Sequence, residues 1–213
     1  MIWIKRAKLV GLLLVGTANG ACSSGSDTLL GSDGSSASSG AGAGGRETLG
    51  EHPDRVPAPL GEPCVADDEW SPYFSGFSSK EVNIITLAPQ CETQVCLLNH
   101  FQGRASCPYG QAPGAAGCLV PGGSVAVTVG VHPQLEARQT SVASICSCRC
   151  AGDGPGPYCT CPDSMQCEHV FDDIGVGDSN VPGSYCIPKG SQYDASQSTA
   201  VCVEGNCGPA HPY

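Results

Sequence analysis

Fourteen cysteines fall between Cys64 and Cys207, about one residue in ten of that stretch. At that density an exported chain reads as a disulfide scaffold, in which cross-links stand in for part of the apolar core. They form two groups separated by the cysteine-free run Leu119 to Ile145. The first holds Cys64, Cys91, Cys96, Cys107 and Cys118; the second holds Cys146, Cys148, Cys150, Cys159, Cys161, Cys167, Cys186, Cys202 and Cys207. Five and nine are both odd. If all fourteen pair, at least one bond joins the groups, so residues 62–213 are either one covalently linked unit or two lobes in contact, 62–135 and 136–213. The connectivity itself is not encoded in the spacing.

The disulfide reading depends on compartment, and the amino end supplies one. Lys5, Arg6 and Lys8 precede an apolar run from Leu9 to Val15, the layout of a secretory signal over residues 1–21. A membrane-spanning helix needs about 20 consecutive apolar residues, and this run gives way at once to Gly16, Thr17, Asn19 and Gly20. Small residues then lead into a cysteine, Asn19-Gly20-Ala21-Cys22-Ser23-Ser24. This resembles the lipobox of bacterial lipoproteins, although Asn19 stands where that family usually has Leu. The resemblance implies cleavage before Cys22 and a lipid anchor on its thiol, holding the protein to a membrane through its acyl chains; Ser23 rather than Asp implies the outer membrane. The alternative is ordinary cleavage near Ala21, which leaves Cys22 as a thiol. Parity favours lipidation, because removing Cys22 from 15 cysteines leaves an even set.

Beyond the signal, seven Lys and Arg stand against 20 Asp and Glu, a formal charge of −13. Nucleic acid is therefore a poor partner, since too few cations are present to displace its counterions. Residues 22–61 read as a tether: Ser, Gly and Ala to about Gly45, then a stiffer Pro-rich extension. The first part, with little apolar surface to bury, has a mean reach on the order of 25 Å.

In 62–213 the pattern is mainly β, a small disulfide-rich fold with many loops. Glu81 to Leu87 is β-branched and partly alternating, and Thr93 to Phe101 reads as a strand entering a turn at Gln102-Gly103 toward Arg104 to Cys107. Ser124 to Val131 has the clearest period of two, with Val125, Val127, Val129 and Val131 on one face. Val142 to Cys150 continues the strand signal and sets Cys146, Cys148 and Cys150 on one side. Tyr158 to Cys161 repeats that spacing after the turn run Gly152 to Pro157, so the two are expected to pair. Helical periodicity is confined to a short turn near Tyr193 to Thr199. Cys91 and Cys96 share a four-residue gap with Cys202 and Cys207, a loose internal echo.

Candidate sites are few. Trp70, Tyr73, Phe74 and Phe77 crowd four of the eleven aromatics beyond the signal into eight residues, either as a satellite core or as a binding platform for a protein or glycan. Cysteine gaps of one, four, five and eight fit disulfides better than zinc, so no metal or other cofactor is expected. The acidic clusters Asp67-Asp68-Glu69 and Asp172-Asp173 with Asp178 lack a calcium-loop pattern and read as solvated loop carboxylates. His52, His100, His132, His169 and His211 are scattered, and neither a zinc-peptidase helix motif nor a nucleophile elbow is present. Cys167-Glu168-His169 sets a base beside a thiol, but one in an even, oxidised set. No catalytic residue is assigned.

The spacing Cys148-x-Cys150-x8-Cys159 is similar to the end of an EGF-like module, with Asp153 and Gly154 where that family has a small residue and an aromatic. Over most of its length the chain resembles cysteine-rich lipoproteins of Gram-negative soil bacteria such as myxobacteria. The residues concerned are Ala21-Cys22-Ser-Ser, Gln90-Cys91-x4-Cys96 leading into Asn99-His-Phe-Gln-Gly103, and Cys146-Ser-Cys148-Arg-Cys150. The resemblance implies location rather than activity. The expectation is a lipid-anchored, exported envelope protein, periplasmic or on the cell surface, acting as a non-enzymatic recognition or adhesion module; the alternatives are a structural coat and, further off, an exported enzyme.

Overall fold

The computed structural model describes residues 56–115, 117–196, 199–203 and 205–207. The signal segment, Cys22 and the tether up to residue 55 lie outside the described residues, as do His52 and His211. No helix among the described residues is long and apolar enough to cross a membrane.

The fold is mainly β, as the sequence pattern suggests, and is built from two small antiparallel sheets. β1 (Val82–Thr86), β2 (Val95–Asn99) and β3 (Ser144–Cys146) form the first, in the order β1-β2-β3. A single helical turn, α1 (Thr140–Ala143), precedes β3. The second sheet has the order β4-β6-β5, from β4 (Arg149–Ala151), β5 (Met165–Phe171) and β6 (Gly183–Pro188).

β1 and β2 carry apolar residues on both faces, and both faces are used. Side chains alternate across a strand, so Cys96, Leu98 and Ile85 enter one core with Phe77, Phe101 and Val65, while Leu97, Ile84, Val82 and Val95 meet Tyr185, Ile187 and Val170 of the second sheet. Leu97, Tyr185 and Ile187 are almost fully buried there. This contact fuses the halves. β3, from beyond the long cysteine-free run, completes the first sheet, so the change from one sheet to the other falls at Ser147-Cys148 rather than near residue 135. Ser147 serves both sides: its N–H donates to Val95 O (2.9 Å) and its hydroxyl to Cys186 O (2.7 Å), while Thr93 Oγ1 donates to its carbonyl (2.6 Å).

Seven disulfides pair all fourteen cysteines from Cys64 onward: Cys64–Cys96, Cys91–Cys146, Cys107–Cys118, Cys148–Cys159, Cys150–Cys167, Cys161–Cys186 and Cys202–Cys207. Cys91–Cys146 is the bond between the two sequence groups. The echoed pairs do not correspond, since Cys202 and Cys207 bond to each other while Cys91 and Cys96 bond elsewhere.

Several local expectations are corrected. Residues 124–131 form no strand: Val125 is 54% exposed, and only the isolated bridges Leu119↔Ala126 and Gln111↔Val131 occur. The reason is the absence of a regular neighbour. The amide of Gln111 donates to the carbonyls of Val127 (3.1 Å) and Val129 (2.9 Å), doing what a partner strand would do, while Val127, Val129 and Val131 share a small core with Cys107, Cys118 and Val120. Gly103 bridges back to Phe77, so the turn after β2 leads to no hairpin with 104–107. Tyr158 to Cys161 is not a strand either; one hydrogen bond, Cys159 N to Arg149 O, and the Cys148–Cys159 bond hold it to β4, whose strand partner is β6. The described part of 193–199 is not helical.

With so little regular structure, loop carbonyls must find other donors, because a buried unpaired backbone group is costly. Three arginines supply them, each over an aromatic ring. Arg104 donates to the carbonyls of Ser71 and Phe74 (both 3.0 Å) and of Glu69, beside Phe74. Arg138 donates to Ser191 O (2.6 Å) and Asn99 O, beside Tyr193. Arg149 donates to Pro182 O (2.9 Å), beside Tyr158. Glu69 corrects the reading of its cluster as solvated: it is fully buried and its carboxylate accepts from the N–H groups of Ala105 (2.7 Å) and Ser106 (2.8 Å).

Tyr193, under Arg138, also stacks on His100 at 3.6 Å between ring centroids. Burial holds the His100 imidazole below its ordinary pKa of 6.5, reinforced by the charge of Arg138 and opposed by the Ser79 carbonyl that accepts from its Nδ1. A depressed histidine binds fewer protons in the native than in the unfolded state. It therefore contributes stability above pH 6.5 that is lost as the pH falls below it. The thermal midpoint should fall between neutral and mildly acidic pH, and His100→Asn, a residue that tolerates the positive φ of 51° at this position, should flatten that dependence. An unchanged pH profile in the variant would refute the assignment.

Candidate ligand cleft

A cleft of about 590 Å³ opens at one end of the second sheet. Both strand pairings are irregular there. The β5–β6 register shifts between His169 and Phe171, and the β4–β6 register shifts between Arg149 and Ala151. Such irregularities splay a sheet and re-aim its side chains. The connections β4 to β5 and β5 to β6 form the two walls, which meet closely: a Cβ on Gly154 would lie 2.5 Å from Ser179 O, and one on Gly183 (φ 135°) 2.3 Å from Ala151 O. Glycine is required at both places.

Arg149 lies at the base and is only 8% exposed. Its Nε donates to Pro182 O, its Nη1 to Pro155 O (3.4 Å), and its guanidinium lies 5.1 Å from the Tyr158 ring; its Nη2 has no hydrogen-bond partner among the described residues. Tyr158 in turn donates to Gly152 O (2.7 Å) and meets Gly154 O, closing the 152–157 turn, in which the Gly156–Pro157 bond is cis. The walls are acidic. Asp153 lies on one, and Asp172 and Asp173 on the other, with Phe171, His169, Ser179 and Ser184 between. Asp172 Oδ1 lies 2.8 Å from His169 Nε2, and Asp173 Oδ1 accepts from Gly175 N (2.7 Å). Beyond them, Ile174 and Val176 project into solvent.

The cleft thus offers carboxylates as acceptors, serine hydroxyls as donors and one aromatic face, over a buried guanidinium with one unpartnered nitrogen. That set suits a ligand rich in hydroxyls, each of which both donates and accepts. His169 and Ser184 are opposed in the β5–β6 register, so a base, a carboxylate and a hydroxyl share the rim, although no hydrogen bond joins His169 to Ser184.

Of the residues singled out from sequence, the four aromatics do not make one exposed face. Phe77 is 5% exposed, Trp70 and Phe74 pack against the first core, and Phe74 meets Phe77 edge to face at 4.7 Å; Tyr73 alone of the four is exposed, at 75%. The segment is a satellite core, held by Arg104. The fourteen cysteines are bonded as above. Their sulfurs gather in threes, Cys64, Cys91 and Cys146; Cys148, Cys159 and Cys186; and Cys150, Cys161 and Cys167, but as neighbouring disulfides rather than free thiolates, so none fits a metal in this state. Cys22 lies outside the described residues. Sequence reasoning missed the cleft. Asp172-Asp173 stands out in the sequence as an acidic cluster, but nothing local ties it to Arg149.

Comparison with protein-family models, with curated proteins and with solved structures finds no match, and the functional reading therefore rests on the chain's own residues.

Proposed function

We propose that the chain is a lipid-anchored recognition module of the cell envelope, tethered through Cys22, that binds a saccharide in the cleft between β4, β5 and β6. One observation supports the reading above the others: the nearly buried Arg149 with a spare nitrogen beneath a rim of three carboxylates, a set that complements hydroxyl groups from both sides. Phe171 adds an apolar face for a sugar ring. The cysteine-rich framework serves the site by fixing short, irregular strands that would not otherwise hold such loops.

Screening the native protein against immobilised saccharides, followed by calorimetry on those retained, tests the proposal. Asp172→Asn and Asp173→Asn, both on exposed loop positions, should each weaken binding by roughly ten- to a hundredfold, in line with roughly 1.5 to 3 kcal/mol for a hydrogen bond to a charged group. Retention of no saccharide, or equal retention by the variants, would reject it and favour a structural coat. An enzymatic reading draws on the Ser184, His169 and Asp172 arrangement, and ranks lower because the imidazole and carboxylate are 60% and 88% exposed. Loss of an esterase activity in Ser184→Ala would be needed to restore it.

A further inference from the structure

Six of the fourteen cysteines make a continuous path of sulfur. Cys186 Sγ, bonded to Cys161, lies 3.6 Å from Cys159 Sγ and 3.7 Å from Cys148 Sγ, which are bonded to each other. Cys161 Sγ in turn lies within 4.8 Å of both Cys150 and Cys167, the third bonded pair. Burial is graded along the path. Cys167 is exposed, Cys150, Cys159 and Cys161 are half-buried, and Cys148 and Cys186 are buried against Ile145 and Met165.

We propose that these six cysteines form a thiol–disulfide exchange centre, which accepts a small external thiol at Cys167 and passes the resulting thiolate inward. Exchange proceeds by attack of a thiolate on one sulfur of a disulfide, with the other sulfur leaving. An external thiol, having lost its proton, attacks Cys167 Sγ; a mixed disulfide forms, the Cys150–Cys167 bond breaks, and Cys150 leaves as thiolate. Cys150 attacks Cys161 Sγ, forming Cys150–Cys161 and releasing Cys186. Cys186 attacks Cys159, forming Cys159–Cys186 and releasing Cys148, or attacks Cys148 and releases Cys159. The last thiolate takes up a proton. Each step breaks one S–S bond and makes one, and no separate oxidant or reductant is consumed. A second external thiolate attacking the mixed disulfide regenerates the Cys167 thiolate and leaves as the oxidised dimer, so the protein has then been reduced by one disulfide.

The burial gradient gives the path its direction. Apolar surroundings disfavour a thiolate and make a cysteine unreactive, so a thiol that reaches Cys148 is protonated and shielded. Exchange begins at the exposed Cys167 and comes to rest in the less accessible group of Cys148, Cys159 and Cys186. The other four disulfides do not belong to the path, since no contact between their sulfurs and these six is found among the described residues.

The test uses the native, oxidised protein with 2-mercaptoethanol, a small monothiol that brings no charge beyond that of the attacking thiolate to a chain of formal charge −13 beyond the signal. At intervals the reaction is trapped with an alkylating agent under acid quench and mapped by peptide mass spectrometry. The expected products are a mercaptoethanol adduct on Cys167, a new Cys150–Cys161 bond, and alkylation that moves with time from Cys150 to Cys148 or Cys159. Cys64–Cys96 and Cys91–Cys146 should stay intact meanwhile. Replacing the middle pair, Cys161→Ser with Cys186→Ser, should confine alkylation to Cys150 and, once a second thiolate has removed the adduct, Cys167. Persistent alkylation of Cys150 alone in the native chain, with Cys148–Cys159 and Cys161–Cys186 unchanged, would overturn the proposal, as would an adduct formed first at any other cysteine. The native chain decides the matter even if the double variant does not fold.

Discussion

Replacing Cys91 and Cys146 together by serine should lower the unfolding free energy by about 4 kcal/mol, the chain-entropy value for a closed loop of this length. The bond spans 55 residues and joins the loop between β1 and β2 to the last residue of β3. Both sulfurs are buried, so the substitution also leaves two hydroxyls in an apolar environment that gives them no assured partner. Its position adds to its weight, because β3 contributes only three residues to the first sheet, paired with β2 on one edge and bridged on the other only at Pro63. Chemical denaturation of the variant beside the native protein, both under non-reducing conditions, measures the difference. A loss below about 1 kcal/mol would mean that the β2–β3 pairing and the packing of the first core hold β3 in place without the cross-link.

The second large effect is expected at Glu69, whose backbone and side chain organise the turn Asp67–Trp70 around Arg104. Glu69 Oε2 lies 3.9 Å from Arg104 Nε, and both side chains are fully buried. Burial raises the carboxyl above its ordinary 4.5, against the hydrogen bonds from Ser106 and Ala105 and the charge of Arg104. Removing one member of such a pair strands the other, at a cost of about 3 to 5 kcal/mol. Glu69→Ala should therefore be severely destabilised, and should also free the N–H groups of Ala105 and Ser106. Glu69→Gln keeps one acceptor oxygen for those two donors and should lose less, about 1 to 3 kcal/mol. Equal stability of the alanine variant and the native chain would show that water reaches the site and replaces the carboxylate.

How much of this was legible beforehand differs from segment to segment. Residues 81–87 and 93–101 announced β1 and β2 because their apolar residues are contiguous and β-branched, the mark of a strand buried on both faces. Residues 124–131 gave an equally clear alternation and formed no strand. Alternation reports which side chains face inward, not whether a neighbouring chain is available, and at this place the neighbour is the side chain of Gln111. β5 and β6 were missed for the opposite reason. Met165 to Phe171 sets Glu168 and His169 among its apolar residues, and Gly183 to Pro188 begins with glycine and ends with proline, and they become strands only when Cys167 and Cys186 are placed side by side in register. The cleft was illegible on similar grounds, since its lining comes from segments on both sides of β5. Arg104, Arg138 and Arg149 gave no local signal of burial; an isolated arginine in a loop has the same appearance whether it meets water or carbonyl oxygens.

The order in which the cross-links join has a mechanical consequence. A pull on the two ends of the described chain need not travel along its backbone. From the amino side it crosses at Cys64 to Cys96, returns to Cys91, crosses to Cys146, steps to Cys148 and over to Cys159, and passes from Cys161 to Cys186. Most of the residues between Cys64 and Cys186 lie in loops that this route bypasses, so tension cannot draw them out while the bonds last. Between Cys64 and Cys207, the span from Cys186 to Cys202 is the longest that no such bond bypasses. A domain joined in this way responds to traction as a nearly inextensible link with a short elastic tail, and a brief tug would leave the cleft's shape unchanged.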